Sequence, residues 1–551
     1  MKILRKNHDV SPAKTALISI LLLVSLGAGL SAQGQSPESQ SGQWRIAGQN
    51  LGNTWSQPAE HLIGPNNVKG LSPKWVFTTG GDVSATPTVD GDAVYFPDWA
   101  GNLFAVKKDS GRLIWSHKIS EYDGVEGAIS RVSPAVDANH VIIGDILNSK
   151  QVHNGANVIS VDRETGTIQW MTQVDTHPAA IITGSPVVSD GVVYIGVSSS
   201  EESLATDPTY PCCTFRGSVV ALDEKSGAML WKTFDMPDNG GQPGGYSGGA
   251  IWQAPAIDPK RNALFIGTGN NYTAPADVEA CQNATPTANC AAADDFFDAA
   301  LALDLKTGQI KWSKRLQGLD TWTVACLTPT GPKANCPVPS SPDFDLGGSG
   351  PNLLGNIIGF GQKSGIYWAL NPDNGDIVWS TPVGAGGSLG GIEWGTATDG
   401  KRIYVAIADN HHLPYTLTSG QQITWGSWSA LDVATGKILW QIADPTVGTI
   451  DTGSVSVANG VMYAGSYSGQ MYAFDAGTGQ ILWNFASGGS VIDGPSIVDG
   501  TLYWGSGYRN IPPGIGNNKV YALSLAGEKD HGEHSGDHDE PSDNHGQHSQ
   551  K

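Results

Sequence analysis

Hydrophobic and polar positions fall into one short pattern that recurs along the chain. Its clearest copy runs from Ala221 to Trp231 and reads Ala-Leu-Asp-Glu-Lys-Ser-Gly-Ala-Met-Leu-Trp. The apolar Val219, Val220 and Leu222 end one strand, a polar turn spans Asp223 to Gly227, and a second strand leads to Trp231. Asp suits the start of such a turn because its carboxylate bonds nearby backbone, and Gly suits its end because it accepts positive φ. The unit returns at Ala105–Trp115, Ser160–Trp170, Ala302–Trp312, Ala369–Trp379, Ala430–Trp440 and Ala473–Trp483, always with the same Gly-to-Trp interval.

Successive Trp residues lie 43 to 81 positions apart, room for four short strands with loops of variable length. Repetition on that scale predicts the blades of a β-propeller. A Trp at one fixed position per blade buries roughly 150–250 Å², at most about 4–6 kcal/mol per copy. The chain ends supply two half-units. Lys519–Leu523 offers a strand with no Trp after it, and Lys74–Phe77 offers Trp75 with no turn before it. Joined, they predict an eighth blade that closes the ring and removes its edges. The expected fold is an all-β, eight-bladed propeller over residues 33–527.

Composition supports turns over helices: among 551 residues only 15% are charged, with 71 Gly and 32 Pro. A net charge of −20 argues against a nucleic-acid partner. Lys2, Arg5, Lys6 and Lys14 precede an apolar run from Ala16 to Leu30 and the small Ser31 and Ala32, which predicts a secretory leader over residues 1–32. With no second apolar run, stable membrane insertion is not expected after its removal. Residues 528–551 carry five His and seven Asp or Glu with no apolar side chain, which predicts a disordered acidic tail. Export gives the six cysteines meaning. Local pairing joins Cys281 to Cys290 and Cys326 to Cys336, leaving Cys212 beside Cys213. A bridge between neighbours is a poor stability device, so that pair points to a site; two free thiols are the alternative.

The repeat Ala-x-Asp-x-x-x-Gly-x-x-x-Trp resembles the tryptophan-docking motif of pyrroloquinoline-quinone (PQQ) dehydrogenases, over Trp44 to Leu523. The segments Cys212–Asp223 and Gly390–Gly395 look most similar to polyvinyl-alcohol dehydrogenases. The resemblance implies PQQ and Ca²⁺ as cofactors. It makes Glu201, in Val197–Glu201, and Asn270, in Gly-Thr-Gly-Asn270, the calcium ligands, oxygen donors that suit a hard cation. It makes Trp252, after Gly248-Gly249, the floor under the quinone, Lys363 the cation at its oxygens, and Arg131, Thr183 and Ser198 holders of its carboxylates and carbonyls. Cys212 and Cys213 are expected to cover it.

Three departures from the family pattern stand out. The cysteine pair follows Arg131 instead of preceding it. Trp322 is followed by Thr323 where the family has its catalytic Asp, so Asp320, with Asp298 behind it, becomes the expected base. No Cys-x-x-Cys-His occurs, so electrons are expected to leave through a separate acceptor such as a cytochrome c. The resemblance implies oxidation of a secondary alcohol, with polyvinyl alcohol as the candidate substrate. The rival expectation is a non-catalytic propeller scaffold of the outer-membrane assembly type, for which Thr323 is the strongest argument.

Overall fold

The computed structural model describes residues 42–147, 155–285, 288–333, 336, 343–346 and 348–525. The expected leader and tail lie outside the described residues, and among these no helix is long and apolar enough to cross a membrane. Eight antiparallel blade sheets follow one another among the described residues, seven of four strands and one, blade 3, with Ala180–Ile181 added as a fifth. Blade 1 contains Thr88–Asp90, Ala93–Pro97, Asn102–Lys107 and Leu113–Lys118, and each later blade repeats this meander. Blade 3 holds Val187–Ser189, Val192–Ser199, Ser218–Asp223 and Met229–Phe234; blade 4 holds Ala256–Asp258, Ala263–Gly267, Ala299–Asp304 and Ile310–Arg315. In blade 8 the strands Ser496–Val498, Thr501–Ser506 and Lys519–Leu525 are completed by Leu71–Thr78, as the two half-units predicted.

The repeated Trp has one job in every blade. It sits opposite the small residue that opens its unit, as in Ala221↔Trp231, and a register shift follows that pair. The split blade keeps the same geometry, with Trp75 opposite Ala522. Each indole N–H donates to a backbone carbonyl of the next blade: Trp170 to Glu224 at 2.7 Å, Trp231 to Leu305 at 3.0 Å, Trp312 to Pro372 at 2.9 Å, and finally Trp483 to Leu71 at 3.1 Å across the ring closure. The turn glycine completes the joint. Gly308 has φ +70°, and a Cβ there would fall 2.5 Å from the Trp231 ring. The residue is glycine for two reasons at once: the backbone is left-handed, and the neighbouring indole occupies the space.

The meander also decides where a site can form. Loops between second and third strands, and crossings from a fourth strand to the next blade, open at the same end of the propeller. The first set carries Glu201, Asn270 and Lys363; the second carries Arg131, Thr183, Trp252, Asp320 and Trp394. The Cys281–Cys290 and Cys326–Cys336 disulfides staple the two longest described insertions of blade 4 and the crossing that follows it.

Gly308→Ala should therefore cost about 2–4 kcal/mol, the sum of left-handed strain and overpacking against Trp231. Gly400→Ala, at φ +81° with open space around the new methyl, should cost only about 1–2 kcal/mol. Urea unfolding of the two variants checks the difference; equal losses would remove the role given to the Gly–Trp contact.

Candidate active site

Lys363 is the centre of the site. It is 5% exposed, and its ammonium donates to Asp343 Oδ2 at 3.0 Å and Asp345 Oδ2 at 2.8 Å. The same nitrogen lies 5.2 Å from the ring centre of Trp252 and 5.8 Å from that of Trp322. Burial alone would lower the pKa of this lysine, but the two carboxylates outweigh it and hold it well above the ordinary range. The segment 343–346 approaches because Lys363 N–H donates to Asp345 O and Gln362 Nε2 donates to Phe344 O.

Asn270 faces the same group. Its N–H donates to Asp345 Oδ1 at 2.6 Å, and its side-chain amide donates to the carbonyls of Asn271 and Trp322, both at 2.7 Å. Both amide hydrogens are thus engaged, and the carbonyl oxygen is the end left for a ligand. Gly269 precedes it because a Cβ there would fall 2.6 Å from Asp345 Oδ1.

Negative charge is in excess here. Burial is the main cause that pushes Asp343 up to about 7, and Glu202 and Glu393 each up to about 8, with Lys363 pulling each of them back. Asp298 and Asp320 are raised well above the carboxylate range, again by burial first; the next cause is Asp320 for Asp298 and Asp343 for Asp320. Six carboxyl groups with pairwise fields thus share one lysine. Among the described residues no three Asp, Glu, His or Cys side chains form a ready-made metal cage. The surplus of carboxylates over cations is nonetheless what a divalent ion relieves.

The residues expected from the sequence are placed as follows. Arg131, Thr183 and Trp252 line one cavity, together with Trp394. The Arg131 guanidinium stacks 4.5 Å over Trp394, whose ring meets Trp252 edge-on at 5.1 Å. Thr183 Oγ1 is buried with no hydrogen-bond partner, a donor waiting for an acceptor. Ser198 is buried and pairs through the backbone with Ile181, two residues before Thr183. Cys212 and Cys213 form a disulfide.

Glu201 stands apart from this group. Its carboxylate accepts from the N–H groups of Thr214 and Phe215 at 3.0 and 2.8 Å and from the Tyr210 hydroxyl at 2.9 Å, with His177 Nε2 at 3.6 Å. It clamps the chain directly after the Cys212–Cys213 bridge. Its neighbour Glu202, one position around a single helical turn (Glu201–Leu204), is the carboxylate within the field of Lys363.

The expected bases also differ from one another in setting. Leu319–Thr323 is extended, with Thr321 bridged to Asn271, and Asp320 Oδ2 accepts from Phe344 N–H at 3.1 Å. Asp298 is fully buried with both oxygens unpartnered. Neither is bonded to Lys363. Asp343 is, and sequence reasoning passed over it. The signal was present as Asp343-Phe344-Asp345, an alternation of acids before the lysine loop.

Comparison with known proteins agrees with this architecture. Residues 44–329 match the family model described as glucose/ethanol/alcohol dehydrogenase, beta-propeller domain, and residues 425–541 match that of outer membrane protein assembly factor BamB. A polyvinylalcohol dehydrogenase of Sphingopyxis sp. (strain 113P3) is 31% identical over 88% of this chain and 74% of its own length. One from Pseudomonas sp. is 30% identical over 85% and 73%. Among solved structures, the quinohemoprotein alcohol dehydrogenase from Comamonas testosteroni has a TM-score of 0.64 at 20% identity, covering 89% of this chain and 81% of that one. BamB from Moraxella catarrhalis has a TM-score of 0.50 at 14% identity, covering 82% and 99%, a likeness of fold alone. On these matches, and on the fold they share, the chain belongs to the PQQ-dependent alcohol dehydrogenase family.

Proposed function

We propose that this chain is an exported PQQ- and Ca²⁺-dependent dehydrogenase of secondary alcohols, with polyvinyl alcohol as its substrate class and a separate protein such as a cytochrome c as its electron acceptor. The observation that carries the proposal is the buried Lys363, bonded to Asp343 and Asp345 beside the Trp252 ring. The substrate class follows the two polyvinylalcohol dehydrogenases that it resembles. The separate acceptor follows from the lack of a Cys-x-x-Cys-His motif.

When bound, the quinone supplies a two-electron acceptor and calcium supplies Lewis acidity. The chain's own part is to hold, orient and move one proton. Arg131 and Thr183 offer a cation and a hydroxyl to carboxylates, and Trp252 offers a flat apolar face. Asn270 through its carbonyl oxygen and Glu202 through its carboxylate are the proposed metal ligands. Glu202 takes the role that the family pattern suggested for Glu201, whose oxygens are already occupied by backbone N–H groups. Asp343 is the proposed base in place of Asp320 or Asp298. Burial, partly offset by Lys363, pushes its carboxyl up to about 7, the range in which a general base both stays ionised and accepts a proton readily. The proton of the alcohol passes to Asp343 Oδ, and the Lys363 ammonium beside it keeps that carboxylate oriented and charged before transfer.

Asp343→Asn should lower kcat by roughly 10²–10⁴-fold with a dye as acceptor, while PQQ affinity measured by fluorescence stays near that of the parent. Asp320→Asn and Asp298→Asn should lose less. Full turnover in Asp343→Asn would return the role to one of those two. Calorimetry in excess Ca²⁺ that detects no PQQ binding to the parent chain would favour the scaffold reading instead.

A second expectation concerns the metal-free chain. Asp343, Glu202 and Glu393 have folded-state pKa values raised to about 7, 8 and 8. For a raised carboxyl, the unfolded chain releases its proton first. Their contribution to stability is therefore full below about pH 4 and is lost as pH climbs towards about 8. In EDTA the melting temperature should fall between about pH 5 and 8.5, and Ca²⁺ should restore most of the loss. A flat profile in EDTA would mean that these carboxyls are already neutralised within the protein.

A further inference from the structure

A second group of buried carboxylates lies outside the site just described. Asp235 follows the outer strand of blade 3, Asp295 precedes the third strand of blade 4, and Asn271 opens the short strand Asn271–Thr273. Backbone contacts bring the two acids together. Phe296 N–H donates to Asp235 O at 2.8 Å, so Asp295 is carried to Asp235's side. Asn271 Nδ2 donates to Asp295 Oδ2 at 2.9 Å, which sets its carboxamide against the pair.

All three side chains are at most 2% exposed. Both oxygens of Asp235, Asp295 Oδ1 and Asn271 Oδ1 have no hydrogen-bond partner. Two glycines leave room for the Asp235 carboxylate: a Cβ on Gly217 or Gly249 would fall 2.5 or 2.7 Å from its oxygens. Arg216 lies within the field of Asp235, and Arg315 within that of Asp295, yet neither guanidinium bonds them. Arg216 bonds Asp238 at 3.5 Å and Met236 O at 3.4 Å, and Arg315 sits over the Phe297 ring with Nη1 buried and unbonded.

Four buried oxygens without partners are costly, and two of the groups are acids of like charge when ionised. One divalent cation neutralises both carboxylates and supplies what the four oxygens lack. Oxygen-only donors, two of them anionic, select a hard ion. We propose that Asp235, Asp295 and Asn271 Oδ1 bind a structural Ca²⁺ that ties blade 3 to blade 4.

The position gives this ion a consequence. Asn271 follows Asn270 directly, and its N–H and C=O bond Asp320 O and Trp322 N. A cation on the Asn271 side chain therefore steadies the backbone that presents Asn270 and Trp322 to Lys363. A proton shared between Asp235 and Asp295 is the competing answer, since burial, and then the charge of Asp295, raise Asp235 well above the carboxylate range.

Terbium luminescence distinguishes the two. The full chain carrying Glu202→Gln, stripped on a chelating resin, should bind one Tb³⁺ that Ca²⁺ displaces. Adding Asp295→Asn, which keeps the volume and the neighbour Asn271, should weaken that site by roughly 10–100-fold and abolish the rise in melting temperature on adding Ca²⁺. A Glu202→Gln chain with no Tb³⁺ signal overturns the proposal. So does Asp295→Asn that melts higher than its parent and still binds the ion, the result expected when the pair holds only a proton.

Discussion

The structure depends on one contact repeated around a ring: an indole laid on a left-handed glycine of the next blade, with its N–H on a carbonyl of that same turn. Neither half is useful alone. The glycine is tolerable because the turn needs positive φ, and the indole reaches the turn because no side chain stands there. Blade-to-blade geometry is thereby set at the outer edge, far from the axis, so the loops at the open end carry little structural duty. That freedom accounts for loops as different as the four-residue turn at residues 362–365 and the long insertions of blade 4 sharing one scaffold.

At the open end the physics is reversed. A folded core normally places buried charge in pairs, yet around Lys363 carboxyls outnumber their cation several-fold. Such a site is unstable on its own and becomes favourable only when something positive or proton-bearing arrives. Thr183 Oγ1 and Tyr272 OH, both buried without partners, belong to the same description. Groups left waiting are the signature of a site completed by its ligands, and they contrast with Glu201, whose oxygens are saturated by its own chain.

The sequence made the fold legible down to the shared blade, because every docking Trp except Trp483, which closes the ring on Leu71, meets a Gly in the next unit and the pair recurs at a fixed interval. Lys363, Asn270 and Trp252 were legible through family motifs that keep their spacing. The acids were harder. Glu201 and Glu202 are adjacent on a single helical turn, where a step of one residue rotates a side chain by about 100°, and composition does not say which one faces inward. Asp343 and Asp345 were missed because they follow an insertion stapled by Cys326–Cys336, in a stretch with no periodic pattern. Only the tertiary contact with Lys363 distinguishes them from loop carboxylates. Asp298, by contrast, was found by sequence position and does lie among the acids, although without a bond to the lysine.

The shared eighth blade has a consequence for how the molecule comes into being. Leu71 pairs with Leu525, so the seam joins segments near opposite ends of the polypeptide. Closing so large a loop carries an entropic cost that no local contact offsets beforehand. Until the last strand arrives, blades 1 and 7 keep raw flanks, and the partial ring resembles an open fan with sticky margins. The same seam later resists mechanical and proteolytic fraying, since neither terminus of the ring can peel away without breaking a strand pair.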